Sequence, residues 1–333
     1  MRYKKAIIST GVVIAILVIV LVGYTMTPLF GLDTVDSSVG GKVVASVAKA
    51  LAADTYSIQG LEEVEDAIPV ADKETLPTYE YVSQEITVEN QGQKISGIAY
   101  IPQYTSVVKH PLVICSPGLD EKYESLLGYA TELASHGVAT YCFDFRGGNG
   151  TNCHSEGLTT EMSVMTEVSD LEVVLANAQT WDFVDSDRIF LLGTSQGGVV
   201  SAIVGARHSD EVSGMVLLYP AFVIGDLAKS IFSSLDEVPD SFEFAGFAVG
   251  RQYFEDIWDY DFYSEIGNYK NKVLLLQGSN DIIVPASYTQ HALDLYTDAD
   301  YHIIERAGHG FTGESLSEAN EYILGYMQNL DII

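Results

Sequence analysis

The chain has 333 residues, of which 47% are hydrophobic and 19% charged, enough for one large α/β domain with accessory segments or for two small domains. Its 46 acidic and 17 basic residues give a formal net charge of −29 at pH 7. Phosphate groups repel such a chain, so the composition argues against a nucleic-acid-binding protein.

The N-terminus carries a targeting or anchoring signal. Basic residues precede an apolar run over residues 6–23, which is just long enough to cross the hydrocarbon core of a bilayer. The positive flank favours a cytoplasmic N-terminus. We therefore predict a membrane anchor at residues 1–30, embedded in the lipid bilayer through residues 6–23, with the rest of the chain outside the cell. A cleaved signal peptide is the alternative, although no A-x-A-like cleavage site follows the run.

The pattern of residue types changes near Tyr79, and this change separates two further regions. Residues 31–78 are mixed and acidic and contain no recognisable chemistry, so we interpret them as a stalk or linker. From residue 79 to residue 333 we place one domain. It opens with two predicted strands, Glu85–Glu89 and Lys94–Ile101, joined around an Asn-Gln-Gly turn that is typical of a hairpin.

Short apolar runs then alternate with longer helical patterns, which predicts an α/β fold: a mostly parallel sheet with helices on both faces. About fifty aromatic-rich residues between Tyr219 and Lys272 exceed what a crossover between parallel strands needs. We predict that they form an inserted cap, about residues 221–265, over the edge of the sheet where ligands bind in such folds. The alternating runs in chain order are Leu112–Cys115, Tyr123–His136, Ala139–Phe145, Val164–Ala178, Arg188–Leu192, Val199–Ala206, Gly214–Tyr219, Val273–Gln277, Ser287–Tyr296, His302–Ile304 and Ser315–Leu330.

The stretch FLLGTSQGGV, residues 190–199, joins one of these strands to a helix through small residues. Its Gly-Thr-Ser-Gln-Gly core matches the G-x-S-x-G nucleophile elbow, in which a strand turns sharply into a helix and exposes the serine at the bend. The motif makes Ser195 the candidate nucleophile. A serine hydroxyl attacks only when a base takes its proton and a third group orients that base.

The partners of the serine follow from chain order, which in this arrangement is serine, then acid, then histidine. His309 lies in a glycine-flanked turn just after a predicted strand and is the candidate base. Asp281 lies on the loop after the strand Val273–Gln277 and is the candidate acid that orients the histidine. Asp226, after the preceding strand, is the alternative acid.

Two backbone N–H groups are expected to stabilise the oxyanion of the reaction intermediate. One belongs to Gln196, the residue after the nucleophile. The other comes from the loop after Leu112–Cys115, where we predict the N–H of Leu119.

The three cysteines, Cys115, Cys142 and Cys153, show neither C-x-x-C nor Cys/His ligand spacing. We predict that they are free thiols and that the protein uses no metal or organic cofactor.

The order of these motifs resembles the α/β-hydrolase superfamily, and residues 80–330 are most similar to its cinnamoyl/feruloyl esterase-like branch, near the serine aminopeptidase-type hydrolases. The resemblance implies a small-molecule ester substrate. It also implies cap residues that contact an aromatic acyl group, at positions matched by Tyr253 and, less closely, by Asp226. The motifs that carry the resemblance are DFRGG at 144–148, TEMS at 160–163 with Thr166-Glu167, GTSQGG at 193–198, PAFVI at 220–224, GRQY at 250–253 and GHGF at 308–311.

These observations lead to one main hypothesis and two alternatives. The main hypothesis is a membrane-tethered serine hydrolase that cleaves carboxylic esters through an acyl-enzyme intermediate. An aminopeptidase or acyltransferase with the same triad differs only in the leaving group or the acceptor. A catalytically silent surface-binding protein on the same fold is an alternative from another class. The acyl group, the alcohol group and the oligomeric state stay open.

Overall fold

The computed structural model describes residues 76–104, 109–150, 152–244 and 247–333. The predicted membrane anchor and nearly all of the predicted stalk lie outside these residues. No helix within the described part of the chain combines the length and apolarity that crossing a bilayer requires.

The described domain is built on one eight-stranded sheet, with the spatial order β1-β2-β4-β3-β5-β6-β9-β10. Strand β2 runs antiparallel to both of its neighbours, and the other adjacent pairs are parallel. Strands β7 and β8 form a separate antiparallel hairpin. The strands are β1 Tyr81–Asn90, β2 Gln93–Pro102, β3 His110–Ser116, β4 Ala139–Phe143, β5 Val184–Thr194, β6 Gly214–Leu218, β7 Ser241–Phe244, β8 Phe247–Gly250, β9 Val273–Gly278 and β10 Ala299–Ile304.

The hairpin of β1 and β2 is confirmed, with Asn90 paired to Gln93 across a two-residue turn. Both turn residues have positive φ, 53° at Gln91 and 80° at Gly92. This turn geometry matches the right-handed twist of the strands that it joins, and glycine adopts it at little steric cost.

Helices cover both faces of the sheet because the side chains of its central strands alternate between two apolar clusters. In β3, Leu112 and Ile114 pack on the side of α2 and α3, whereas Val113 and Cys115 pack on the side of α1 and α8. These inner strands are buried on both faces and therefore consist of continuous apolar runs. The helices are α1 Leu127–Ser135, α2 Val164–Ala178, α3 Ser195–Arg207, α4 Ile224–Ile231, α5 Arg251–Ile257, α6 Phe262–Ile266, α7 Ala286–Leu293 and α8 Glu314–Asn329.

Helices α4, α5 and α6 and the β7–β8 hairpin lie between β6 and β9 in the chain, in the stretch that the sequence marks as a cap. Their buried aromatic residues join the apolar cluster on the α2 and α3 side of the sheet. Phe232 and Phe254 meet edge to face, with ring centroids 5.2 Å apart. Through such contacts, many aromatic residues of the predicted cap pack against one another.

The three cysteines are free, as predicted. Cys115 on β3 and Cys142 on β4 are register partners and are fully buried. Cys153 is partly buried in the loop after β4. Burial raises the pKa of the Cys142 thiol well above its ordinary value, which keeps the thiol protonated and unreactive.

The connections of the sheet form a topological switch point at the carboxyl ends of β3 and β5. From β3 the chain passes to β4 on one side, and it later returns to β5 on the other side of β3. The chain leaves β3 toward α1 on one face of the sheet, and it leaves β5 toward α3 on the other face. Open α/β sheets bind ligands at such switch points, and the loop containing Leu119 and the bend at Ser195 both start here.

Candidate active site

Ser195 occupies a sharp bend between β5 and α3, where its φ of 49° is unusual for a residue other than glycine. The strand and the helix approach so closely that only glycine fits on either side of the serine. A Cβ atom on Gly193 would overlap the backbone carbonyl of Gly197, and one on Gly197 would overlap the carbonyls of Ser116 and Pro117. The bend holds the serine at the N-terminus of α3.

The structure brings Ser195, His309 and Asp281 together in one hydrogen-bonded line. His309 Nε2 lies 2.9 Å from Ser195 Oγ, and His309 Nδ1 lies 2.8 Å from Asp281 Oδ2. An ionised carboxylate only accepts hydrogen bonds, so Nδ1 carries the proton and Nε2 is free to accept from the serine hydroxyl. The geometry is that of a nucleophile, a base and an orienting acid.

Several donors hold the carboxylate of Asp281 in place, and its side chain has no exposed surface. Its Oδ1 accepts from the backbone N–H groups of Ile283 and Val284, each at 2.9 Å. Its Oδ2 accepts from Gln277 Nε2 at 2.9 Å in addition to His309. Gln277 was missed at the sequence level, although an amide at the end of an otherwise apolar buried strand was a usable signal.

His309 is held by its turn and by an aromatic neighbour. The turn after β10 includes Gly310 with a φ of 96°, a conformation that favours glycine. The ring of Tyr219 meets the imidazole edge to face with centroids 4.9 Å apart, and Phe311 supports Tyr219 in the same way. The His309 side chain is 16% exposed, so a substrate and water can reach it.

The two predicted oxyanion donors lie on segments that converge beside the serine. Gln196 is the second residue of α3, in the first turn, where N–H groups have no carbonyl partner within the helix. The loop after β3 packs against the bend, because a Cβ on Gly118 would come within 3.2 Å of Ser195 Cβ. Leu119, the second predicted donor, is the next residue in the chain after Gly118. Glu121 Oε2 accepts from the Gly118 N–H at 3.0 Å and so braces this loop.

Further hydrogen bonds fix the loop that carries Leu119. Glu121 Oε2 also accepts from the hydroxyls of Ser125 at 3.2 Å and Thr194 at 3.4 Å, which connects the loop to the end of β5. Asn149 Nδ2 donates to the backbone carbonyl of Asp120 at 2.6 Å. The sequence did not indicate this role of Glu121, because its bond to Thr194 joins residues that are 73 positions apart in the chain.

The side chain of Gln196 is buried and hydrogen-bonded at both ends. Its Nε2 donates to Glu167 Oε2 on α2 at 2.9 Å, and its Oε1 accepts from the Tyr253 hydroxyl on α5 at 2.7 Å. Burial raises the pKa of the Glu167 carboxyl to about 8, and the charge of Asp170 on the same helix adds to this shift. Tyr253, predicted as an acyl contact, is thus a buried residue of the cap that bonds to Gln196.

Asp226 lies apart from this hydrogen-bonded line. It is exposed on the first turn of α4, and its Oδ2 accepts from the Tyr288 hydroxyl at 2.7 Å. The structure places Asp281, and not Asp226, against His309, so the alternative assignment of Asp226 as the triad acid is wrong. Its predicted contact with a substrate stays a prediction.

One other group of side chains has the composition of a metal site. Ligand atoms of Glu124, Asp144 and His154 lie within 4.8 Å of one another. The buried Asp144 carboxylate already accepts from the N–H groups of Tyr123 and His154 and from the His154 ring. These bonds fasten the loop after β4 to the start of the segment before α1, which is a structural role.

The chain is similar in sequence to a known protein family over part of its length. Residues 108–242 match the sequence model of the family described as serine aminopeptidase, S33. That range contains the elbow at Ser195 and the predicted oxyanion donors. No curated protein matches the chain.

This domain matches solved structures of similar fold over nearly the whole length of those structures. Est1E from Butyrivibrio proteoclasticus, with ferulic acid bound, is 22% identical with a TM-score of 0.67, over 73% of this chain and 98% of Est1E. GrgF from Penicillium sp. sh18 is 17% identical with a TM-score of 0.59, over 75% and 97%. Alpha/beta hydrolase domain-containing protein 10 from mouse is 16% identical with a TM-score of 0.55, over 75% and 98%. At these identities the likeness establishes the fold.

Proposed function

We propose that this chain, as a member of the α/β-hydrolase superfamily, is a serine hydrolase. It cleaves carboxylic esters through an acyl-enzyme intermediate. The observation that carries the proposal is the line of hydrogen bonds from Ser195 through His309 to Asp281. Neither packing nor folding alone requires a serine at a strained bend, a histidine with its Nε2 facing that serine, and a buried carboxylate behind it.

The first half of the reaction forms the acyl-enzyme. His309 Nε2 takes the proton of the Ser195 hydroxyl while Oγ attacks the ester carbonyl carbon. Asp281 keeps the imidazole in the required tautomer and stabilises the imidazolium that forms. When the tetrahedral intermediate collapses, His309 gives its proton to the leaving alcohol, and the acyl group stays on Oγ.

The carbonyl oxygen becomes negatively charged in each tetrahedral intermediate. In the proposal the N–H groups of Gln196 and Leu119 donate to this oxyanion, and they are held in place before the substrate arrives. A water molecule then replaces the alcohol. His309 takes a proton from the water and returns it to Ser195 Oγ as the acid product leaves.

A hydroxycinnamate-type ester is the proposed substrate class. The resemblance to the cinnamoyl/feruloyl esterase-like branch and the ferulic acid bound to Est1E support it. Tyr253 and Asp226 are the candidate residues for contact with an aromatic acyl group. The match to a family described as serine aminopeptidase supports a second candidate, the cleavage of an N-terminal amino acid from a peptide by the same triad.

A labelling experiment combined with a substrate panel tests the proposal. A fluorophosphonate probe reacts only with an activated serine, so we expect it to label the peptide containing Ser195, and Ser195→Ala to abolish the label. p-Nitrophenyl esters, hydroxycinnamate esters and aminoacyl p-nitroanilides then separate esterase from aminopeptidase activity. A correctly folded wild-type protein that resists the probe would instead support a silent binding protein on this fold.

A further inference from the structure

The side chain of Gln196 joins three elements at one buried point. The residue belongs to α3, its amide nitrogen donates to Glu167 on α2, and its amide oxygen accepts from Tyr253 on the cap helix α5. Gln196, Glu167 and Tyr253 are only 1%, 1% and 7% exposed. Burying these polar groups costs free energy unless they bond to one another, so the bonds fix their relative positions.

A second contact strengthens the attachment of the cap helix. Asp256 lies one turn after Tyr253 on α5, and its Oδ2 accepts from the Ser163 hydroxyl at 2.5 Å. Ser163 is the N-cap of α2, the helix that carries Glu167 one turn further on. Polar side chains of α5 therefore bind at the N-termini of both α2 and α3, and Tyr253 makes the contact that reaches the bend at Ser195.

The main-chain N–H of Gln196 is a donor whose direction matters for the proposed reaction. It lies in the first turn of α3, outside the hydrogen bonds of that helix, and it follows a serine with a positive φ. The peptide unit that carries it is held at its carbonyl, because the Ser195 C=O accepts from the Ala221 N–H at 3.0 Å, and the buried side chain of Gln196 adds a second restraint. A donor misaligned by a fraction of an ångström stabilises an oxyanion poorly.

We infer that Tyr253 and Glu167 are positioning residues that act through the side chain of Gln196 to fix its main-chain N–H at the oxyanion site. The inference rests on the proposed function. It gives Tyr253 a role in catalytic rate that does not depend on the size of the acyl group.

A double-mutant cycle tests whether Tyr253 acts through Gln196. Tyr253→Phe removes only the hydroxyl, and Gln196→Met keeps the main-chain N–H and most of the side-chain volume. We expect Tyr253→Phe alone to lower kcat about tenfold for both an acetate and a hydroxycinnamate ester, with KM unchanged. In the Gln196→Met background, the same change should alter kcat by less than about twofold.

Two further variants probe Glu167. Glu167→Leu removes the acceptor for the Gln196 amide and should lower kcat about tenfold. Glu167→Gln keeps a side-chain oxygen at that point and should restore most of the rate. The rate of fluorophosphonate labelling at Ser195 is a second readout, because it uses the same oxyanion donors and does not depend on the natural substrate.

Tyr269→Phe is the matched control. Tyr269 is a buried tyrosine whose hydroxyl donates to the Val212 carbonyl at 3.0 Å. These two residues precede β9 and β6, at the amino ends of the strands and so at the edge of the sheet opposite the triad. Loss of the Tyr269 hydroxyl should lower the melting temperature about as much as Tyr253→Phe does, and it should leave kcat unchanged.

Two results would overturn the inference while the proposed function stands. One is an equal loss of kcat from Tyr253→Phe in both backgrounds. The other is a loss confined to the KM of the hydroxycinnamate ester, which would make Tyr253 a wall of the acyl pocket. A wild-type protein inert to both the esters and the probe would refute the proposed function, and the inference would fall with it.

Discussion

Two buried carboxyl groups near the bend at Ser195 have different surroundings. Asp281 accepts four hydrogen bonds, including two from backbone N–H groups, which hold its carboxyl group against His309. Glu167 lies in an almost fully buried position, and burial raises the pKa of its carboxyl to about 8. At neutral pH Glu167 is therefore mostly a neutral acid bonded to Gln196.

The raised pKa of Glu167 predicts a pH-dependent cost in stability. Between its ordinary pKa of 4.5 and about 8 the folded protein binds this proton more tightly than the unfolded chain does, so the free energy of unfolding falls as pH rises through that window. Asp170 on the same helix and Tyr253 on α5 are titratable groups close to Glu167. Glu167→Gln cannot ionise and should gain melting temperature relative to the wild type as the pH rises from 5 to 8. A constant difference across this range would contradict the assigned pKa.

Gln277 provides a test of how Asp281 is held. Gln277→Leu removes the amide that donates to Asp281 Oδ2 while keeping a buried side chain of similar size. We expect kcat for an ester to fall about tenfold with little change in KM, because the defect lies in the orientation of His309. Gln179→Leu, which removes an amide bonded to Glu211 instead, is the control. An unchanged kcat in Gln277→Leu would show that the backbone donors alone hold Asp281.

Single residues were predictable from the sequence where chain order and local motifs define them. Ser195 follows from the elbow, and Asp281 and His309 follow from their positions after successive strands. The partners Gln277, Glu121 and Glu167 act through contacts that only the folded chain creates. Their roles could not be derived from spacing.

At the scale of elements, the close approach of β5 and α3 gives the bend its shape. Gly193 and Gly197 allow this approach, and neighbouring backbone carbonyls occupy the space that side chains would need. The bend is therefore determined by backbone contacts.

Gly197→Ala tests this packing. The new Cβ would overlap the carbonyls of Ser116 and Pro117, so we expect a loss on the order of 2–4 kcal/mol and a melting temperature lower by roughly 5–10 °C. Gly225→Ala is the matched control within a helix, because its Cβ would meet Ile257 at 3.5 Å, an ordinary contact. Equal melting temperatures for the two variants would show that the bend relaxes without cost.

The alternation of apolar runs predicted the order of the elements well, and the ends of the elements less well. The sequence predicts a strand over Arg188–Leu192, whereas β5 extends over Val184–Thr194, because the buried Val184 already pairs with His110 of β3 before a shift in register. The predicted helix Tyr123–His136 starts as a 3₁₀ turn, Tyr123–Leu126, and becomes α-helical at Leu127. Hydrogen bonds with other elements determine such ends, and periodicity does not report them.

At the scale of the whole molecule, the cellular location of the protein is a prediction from residues 1–30. We expect the full-length chain to sediment with membranes, because an uncleaved apolar run over residues 6–23 partitions into the bilayer. Deletion of residues 1–30 should release a soluble, active protein of unchanged kcat. Secreted protein whose mature N-terminus lies near residue 30 would establish a signal peptide instead.

The central claim is that Ser195 is the nucleophile of an ester-cleaving triad, and the most direct test is the kcat of Ser195→Ala on an ester that the wild type hydrolyses. The hydroxyl contributes chemistry and little packing, so the variant should keep the wild-type melting temperature. We predict that kcat falls by a factor on the order of 10⁴ or more. A folded Ser195→Ala variant that retains most of its esterase activity would contradict the account.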